Sequence, residues 1–162
     1  MADSTDAIRE PFGIVPLRPA HTDAGVAIGR SLPAWFGIEA GLAAMRSELE
    51  RGQGFAALRA GPVMGFVTLQ VIFPETWEIT WMAVVPDAHR RGIGSGLVEH
   101  AAGHCREAGG RLLLVRTLAD LHPSPEYAGT RAFYRAAGFL RIAVLPEEWD
   151  AENPCLLLGR PL

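Results

Sequence analysis

The chain alternates between two spacings of apolar residues, and each spacing predicts a different kind of element. Runs rich in β-branched and aromatic residues predict strands, at residues 13–18, 55–59, 63–73, 77–85, 112–115, 139–145 and 155–158. Apolar residues that recur every three or four positions predict helices, at residues 24–32, 38–51, 93–108 and 130–137. Glycines directly follow three of these helices, as is typical of helix ends. We expect residues 33–37 and 121–129 to be loops.

The order of these elements predicts a mixed α/β sheet. Residues 55–85 hold three strands joined by two short turns, and such strands pair antiparallel. A strand, a helix and a strand over residues 77–115 favour a parallel pair joined by a right-handed crossover. Pro16 lacks a backbone N–H, which places the first strand at an edge of the sheet. Because no internal repeat or linker is visible, we expect one domain over residues 1–162.

Composition narrows the classes of function. The 162 residues include 15 Lys and Arg against 18 Asp and Glu, so no global positive field favours nucleic acid or an anionic membrane. The two cysteines, Cys105 and Cys155, are too few for a disulfide framework or a zinc cluster, and we expect both to pack as small core side chains. The first residues are polar, and no run approaches about 20 apolar residues, which predicts a cytoplasmic protein.

The segment from residue 86 to residue 98 carries the clearest chemical signal. It passes from a strand to a helix through the sequence His-Arg-Arg-Gly-Ile-Gly at residues 89–94. A helix N-terminus leaves backbone N–H groups unpaired, so a glycine-rich entry with two arginines suits a pyrophosphate. The dinucleotide fingerprint would need a glycine where Leu97 stands, and the P-loop would need Gly-Lys-Ser/Thr at residues 97–99. An ordinary glycine-rich turn is the alternative.

This segment resembles the acyl-CoA loop of the GCN5-related N-acetyltransferases, whose pattern is Gln/Arg-x-x-Gly-x-Gly/Ala between a strand and a helix. His89 replaces the Gln or Arg of that pattern and still offers a ring N–H. The resemblance implies that acetyl-CoA is the acyl donor. It also implies cofactor contacts by seven consecutive residues: His89, Arg90, Arg91, Gly92, Ile93, Gly94 and Ser95.

A second segment, residues 130–139, is similar to the helix-to-strand segment of the same family, in which Phe-Tyr lies on the helix and Gly-Phe follows. By position, the resemblance makes Tyr134 the residue that protonates the departing CoA thiolate. A phenol with a pKa of about 10 can donate to a thiolate whose thiol has a pKa of about 8.5. The alternative is a packing pair, Phe133 and Tyr134, with the hydroxyl at the surface. The family often has Asn where Tyr127 stands, so this sequence departs from the family pattern at that cofactor contact.

The strand before the loop supplies two further predictions. Glu78 is a lone carboxylate among apolar residues, and burial makes a carboxylate a stronger base. Its separation from Gly92 equals that of the catalytic glutamate in histone-acetylating members of the family. The alternative is an exposed glutamate beside a turn. The resemblance also implies that a backbone N–H of the central strand binds the thioester carbonyl, a role that falls by position to Met82, Ala83 and Val84.

Other clusters compete weakly with this interpretation. His100 and His104 have the helical spacing of zinc ligands, but no third ligand is evident, and we expect a solvated helix face and no metal. Residues 147–150 are acidic apart from Trp149 and could shape an amine pocket, although a charged hairpin is the plainer interpretation. Trp35 and Phe36 could line a pocket or close the edge of the core, and His122 and Arg116 could approach the substrate.

The resemblance covers about residues 13–160 and implies the fold of that family, a mostly antiparallel sheet with one splayed parallel strand pair and flanking helices. We therefore expect an acetyl-CoA-dependent N-acetyltransferase that acts by direct attack of a primary amine, on a small molecule or amino acid. A protein amine is the alternative acceptor, and a homodimer is possible for this family. The rival classes are a non-catalytic acyl-CoA-binding module and a nucleotide-binding protein. We expect no nucleic acid, membrane or metal partner.

Overall fold

The computed structural model describes residues 11–162 and holds one seven-stranded sheet with the strand order β1-β2-β3-β4-β5-β7-β6. The strands are β1 Gly13–Pro16, β2 Gly54–Leu58, β3 Val63–Phe73, β4 Thr76–Val84, β5 Leu112–Leu118, β6 Leu140–Asp150 and β7 Asn153–Pro161. The α-helices are α1 Thr22–Arg30, α2 Pro33–Phe36, α3 Glu39–Arg51, α4 Ile93–Glu107 and α5 Pro125–Ala136. Short 3₁₀ turns lie at Pro19–His21 and Pro86–Ala88.

The pairing confirms the mixed sheet. β4 and β5 are parallel and are joined through α4, whereas the other neighbouring strands within residues 11–162 are antiparallel. β1 with Pro16 forms one edge of the sheet, as predicted, and β6 forms the other. Gly52 ends α3 with a positive φ of 69°, a backbone conformation that glycine adopts without strain. The elements around the predicted loop therefore stand where the sequence expects them.

Two predicted loops are wrong. Residues 33–36 form the short helix α2, and α5 begins at Pro125 instead of residue 130. Pro125 occupies the first helical position, where its missing N–H costs nothing, and the Ser124 hydroxyl accepts a hydrogen bond from the Tyr127 N–H at 3.4 Å. The prolines at 123 and 125, which suggested a loop, instead mark a helix start. The last two strands also extend well beyond their predicted bounds.

The core has two layers, one on each face of the sheet. On one face, α4 packs against β2, β3 and β4 and α5 packs against β5, with buried residues that include Leu97, Leu113 and Tyr134. On the other face, α1 packs against β3 and α3 packs on α1, with buried residues that include Met45 and Phe66. Cys105 and Cys155 are both buried and free, which confirms their prediction as core side chains. Among the described helices, each is too short or too polar to cross a lipid bilayer.

The sheet opens between its two parallel strands. The β4–β5 ladder runs only from the pair Thr76–Leu112 to the pair Ile79–Val115. Beyond it, β4 stays paired with β3 as far as Val84, and β5 stays paired with β7 as far as Leu118. The two strands therefore separate toward their carboxyl ends and leave a wedge-shaped gap, as the splayed pair predicted. We call this space the β4–β5 gap.

Candidate active site

The β4 edge of the gap presents backbone groups from alternate residues. The Trp81 N–H donates to the Thr68 hydroxyl at 3.0 Å, and the Val85 N–H donates to the Met64 carbonyl at 2.9 Å, so both point toward β3. Because backbone direction alternates along a strand, Ala83 also faces β3, where it stands opposite Phe66. Met82 and Val84 face the gap instead. Of the three strand residues expected to contact the acyl donor, these two present backbone groups to the gap.

His89 joins the loop to the end of β4. Its Nε2–H donates to the Val84 carbonyl at 2.8 Å, and its ring lies edge-on to the indole of Trp35, with centroids 6.4 Å apart. The ring N–H that the sequence offered to the pyrophosphate is thus engaged by the protein. We assign His89 the structural task of holding the loop against the strand.

The loop and the first turn of α4 have the properties of an anion site. Arg90 and Gly92 have positive φ values of 59° and 84°, and alternating left- and right-handed residues turn successive N–H groups toward one point. The Gly96 N–H bonds the Gly92 carbonyl at 2.9 Å, which leaves the N–H groups of residues 93–95 without partners inside the helix. The first turn contains no acidic side chain, and Arg90 and Arg91 are exposed. These groups suit a pyrophosphate.

Gly94 allows α4 to pack closely on α5. A Cβ atom built at this position would lie 3.3 Å from two ring carbons of Phe133, a tighter contact than side chains normally make. The second glycine of the motif therefore has a packing task in addition to any close approach of a ligand. It brings the start of α4 next to the helix that carries Tyr134.

Tyr134 is buried beside this contact. Its side chain is 5% exposed and packs edge-on against Phe133 and Phe139, with centroids 5.2 and 5.3 Å away. Burial raises the pKa of the Tyr134 hydroxyl well above its ordinary value. The hydroxyl is therefore protonated at neutral pH, and it does not lie on the surface as the alternative interpretation supposed.

Glu78 is also buried, at 4% exposure, so the interpretation as an exposed residue beside a turn is wrong. Gln70 of β3 donates from Nε2 to one carboxylate oxygen at 3.0 Å, and Arg116 of β5 forms an ion pair with the other. The Arg116 Nε lies 3.2 Å from a carboxylate oxygen of Glu148 on β6. The hydrogen bond to Glu78 raises the pKa of the Arg116 guanidinium.

Sequence reasoning missed Gln70 and named Arg116 only as a residue near the substrate. For Arg116 the available signal was a single charged residue inside an apolar strand, the same signal that identified Glu78. Their proximity depends on the pairing of β3, β4 and β5, which strand patterns alone do not specify.

A bridge between α2 and α5 spans the wide end of the gap. The Trp35 Nε1–H donates to the Thr130 hydroxyl at 3.0 Å, and the Tyr127 hydroxyl donates to the Trp35 carbonyl at 3.2 Å. α2 packs with the α1–α3 layer and α5 packs on the opposite face, so this contact passes over the carboxyl ends of β4 and β5. Tyr127 thereby reaches across to α2.

The histidines that the sequence offered as alternative functional residues contact neighbouring groups of the protein. His100 and His104 pack their rings on Phe55, 5.2 and 5.4 Å away, and His104 also packs on Trp77 at 5.6 Å. No group of three or more metal-ligand side chains forms in the part of the chain that the structure describes. The His122 Nδ1 accepts a hydrogen bond from the Ser124 N–H at 3.2 Å. An open depression of about 310 Å³ is lined by Leu145, Pro146, Glu147 and Glu148.

Comparison with known proteins supplies independent evidence. A family model described as acetyltransferase (GNAT) family matches residues 28–139. A putative GNAT-family acetyltransferase from Desulfovibrio desulfuricans superposes with a TM-score of 0.79 and 22% identity, covering 93% of this chain and 98% of that one. No curated protein matches the sequence significantly.

Two further structures share the fold at low sequence identity. The ribosomal-protein-S18-alanine N-acetyltransferase from Escherichia coli has a TM-score of 0.74 and 21% identity, over 93% of this chain and 94% of its own. An aminoglycoside 6′-N-acetyltransferase complexed with coenzyme A has a TM-score of 0.70 and 17% identity, over 92% and 96%. At these identities the superpositions demonstrate a common fold.

Proposed function

Since the chain belongs to the acetyltransferase (GNAT) family, whose model matches more than half of its residues, we propose that it transfers the acetyl group of acetyl-CoA to a primary amine. The observation that carries the proposal is the β4–β5 gap, which has an anion-binding loop at its wide end and a buried proton donor on the adjoining helix. We propose a single domain for this activity over residues 1–162. A cytoplasmic location and a homodimer remain predictions from the sequence.

The loop and β4 divide the binding of the acyl donor between them. We assign the pyrophosphate to the N–H groups of residues 93–95 together with Arg90 and Arg91. The pantetheine arm then follows the gap, where the Met82 backbone groups and the Val84 N–H lack a neighbouring strand, whereas the Val84 carbonyl accepts from His89. One of the structures that share this fold is a coenzyme A complex, which supports a CoA ester as the donor.

The transfer requires three groups from the protein: a hydrogen-bond donor to the thioester oxygen, a general acid and a general base. The Met82 N–H donates to the thioester oxygen as charge develops there, and a donor of this kind is worth about 3 kcal/mol in other acyl-transfer enzymes. The amine nitrogen attacks the thioester carbon and the carbon–sulfur bond breaks. Tyr134 gives its hydroxyl proton to the leaving sulfur, and Glu78 accepts a proton from the amine.

Glu78 acts at some distance from the thioester. It precedes Met82 by four residues, which corresponds to about 13 Å along a strand. A general base must reach its proton directly or through water, so we propose that water in the acceptor site relays the proton to Glu78. Glu78 lies on the sheet face opposite α4 and α5, because its neighbours Trp77 and Ile79 pack toward those helices. The acceptor therefore approaches on the face that carries α1 and α3.

We propose a small amine or an amino acid as the acceptor. Phe36 and Trp81 pack together on the acceptor face, with centroids 6.0 Å apart. Glu148 brings negative charge to the same face as Glu78 through its contact with Arg116. Such surroundings favour a compact cation. A protein amine is the second candidate, since one of the structures that share the fold is named for an alanine of a ribosomal protein.

The first experiment is thermal unfolding in the presence of acetyl-CoA, CoA, ATP or NAD. A ligand present at 100 times its dissociation constant stabilises the folded protein by about 2.7 kcal/mol. We expect a higher Tm with acetyl-CoA and CoA and no change with ATP or NAD. A protein that binds CoA but releases no thiol with any amine would be a non-catalytic CoA-binding module, and no shift with either CoA species would refute the proposed function.

A further inference from the structure

The strongest feature that the proposed mechanism leaves unused is the arginine beside Glu78. Arg116 is the first residue of β5 beyond the last ladder pair, Ile79–Val115. Val115 packs in the α4–α5 layer, so Arg116, the next residue, points to the opposite face, as Glu78 does. The guanidinium and the carboxylate therefore meet diagonally across the narrow end of the β4–β5 gap.

The surroundings hold the Glu78 carboxylate from both sides. Gln70 of β3 donates to one oxygen and Arg116 of β5 donates to the other. The carboxylate therefore cannot rotate without breaking a hydrogen bond. An ionised carboxylate buried without such partners would be strongly disfavoured. Each oxygen keeps a second lone-pair direction, which leaves room for a proton to be received.

The ion pair continues toward the surface. Side-chain exposure rises from 5% at Glu78 through 31% at Arg116 to 40% at Glu148. Glu148 also lines the open depression formed by residues 145–148. A row of three charges, negative, positive and negative, thus leads from the buried carboxylate to a surface hollow. The buried Cys155 thiol of β7 also lies near this row, and burial raises its pKa, so it is uncharged at neutral pH.

We propose that Arg116 is a positioning residue that holds the Glu78 carboxylate toward the acceptor site and that anchors Glu148 at the rim of that site. The inference rests on the proposed function. When the acceptor ammonium loses a proton, its N–H bond breaks and an O–H bond forms at Glu78, through water. Arg116 keeps all its protons and touches neither reactant.

The test compares Arg116→Gln and Arg116→Lys with Arg141→Gln. Arg141 serves as the control because it lies on β6, the strand that carries Glu148, and its single ion pair, with Asp120 at 2.7 Å, is exposed. Released thiol is measured with acetyl-CoA and a fixed panel of amines: spermidine, kanamycin, free amino acids and a peptide that begins with alanine. The wild-type protein identifies the best acceptor in the panel, and the variants are assayed with it.

We expect Arg116→Gln to lower kcat about tenfold or more while KM for acetyl-CoA stays within about twofold. Arg116→Lys restores the positive charge beside Glu78 and should recover much of kcat. Arg141→Gln should behave as the wild type does.

A double-mutant cycle separates a loss of activity from a loss of folding in the Arg116→Gln variant. Glu78→Gln with Arg116→Gln removes both charges, so its Tm should exceed that of Arg116→Gln alone, and Arg116→Gln should cause no further loss of kcat in the Glu78→Gln background. An active wild type in which Arg116→Gln matches Arg141→Gln would overturn the inference and leave the proposed function standing. A wild type that binds CoA but acetylates nothing in the panel would overturn both.

Discussion

Tyr134 is one of two tyrosines in the chain, and its surroundings keep its hydroxyl protonated. The ring is buried between Phe133 and Phe139, and burial raises the pKa of the hydroxyl above its ordinary value. A phenol in this state does not ionise at the pH at which a thiolate leaves. Its proton is therefore available to the sulfur throughout the neutral range.

Replacement of Tyr134 by Phe tests this role at the scale of one atom. We expect acetyl transfer to slow about tenfold or more, with little change in the Kd for CoA, because the hydroxyl acts on the departing sulfur. Steady-state rates and calorimetric titration with CoA separate the two effects. The other tyrosine supplies the control, since Tyr127→Phe removes a hydroxyl that bonds α2 and should leave the chemical step largely intact. An unchanged rate in Tyr134→Phe would remove Tyr134 from the mechanism.

Glu78 illustrates what can be predicted for a single residue. A lone carboxylate in an apolar strand was recognisable from the sequence, and its burial is confirmed. Its partner Arg116 stands 38 positions away, in a strand whose register with β4 is set by tertiary packing. Local pattern therefore identified the acid, but it did not reveal that both carboxylate oxygens are held by neighbouring strands.

At the scale of elements, the close contact between α4 and α5 sets the position of the N–H groups in the proposed anion site. Gly94 lets the first turn of α4 approach the Phe133 ring, and the N–H groups of that turn are the proposed pyrophosphate donors. A Cβ atom at this position requires the Phe133 ring, or the helix turn opposite it, to shift by a few tenths of an ångström. The position of the donors then changes although their number does not.

Two Gly→Ala variants on the same helix test this dependence. Gly94→Ala should weaken CoA binding about fivefold or more, since one misplaced hydrogen bond is worth about 1 kcal/mol. At Gly103 nothing lies within 4 Å of a built Cβ, so Gly103→Ala should leave CoA affinity unchanged. It should also raise the free energy of unfolding by up to about 1 kcal/mol through helix propensity. Titration with CoA and urea unfolding measure both, and equal affinities in the two variants would contradict the packing argument.

The helix starts show where pattern reading fails for elements. Prolines at 123 and 125 were interpreted as a loop, yet Pro125 opens α5 and Ser124 caps it. A proline in a first turn and a proline in a loop look alike until the residues after it are placed. The four residues of α2 carry too little periodicity to be recognised, and their contacts with α5 are long-range.

At the scale of the whole molecule, buried acids couple stability to pH. Burial raises the pKa of the Cys105 thiol from 9.0 to about 11, and the pKa values of Cys155, Tyr127 and Tyr134 shift in the same direction. Below pH 9 the thiol is protonated in both the folded and the unfolded chain. Above it, the unfolded chain releases its proton first, so the contribution to stability is lost as pH rises toward 11.

We therefore expect the free energy of unfolding to fall steeply between pH 9 and pH 11, with about 2 to 3 kcal/mol of the loss due to Cys105. Cys105→Ala should be less stable than the wild type at neutral pH because it leaves a small cavity, but its stability should fall less over this range. Urea unfolding at several pH values measures the slopes. The exposed Ser47→Ala serves as a control, and a Cys105→Ala slope equal to that of the wild type would contradict the prediction.

The sequence by itself determined the order of strands and helices, the mixed sheet, the glycine loop before α4 and the place of Tyr134 in α5. Each of these depends on periodicity, turn chemistry or motif spacing, which act over a few neighbouring residues. Only the tertiary structure decided the commitment of His89 to Val84, the pairing of Glu78 with Arg116, and the bridge from Trp35 to α5. Trp35 and Tyr127 are 92 positions apart, and contacts of that range depend on how strands align and how helices pack on them.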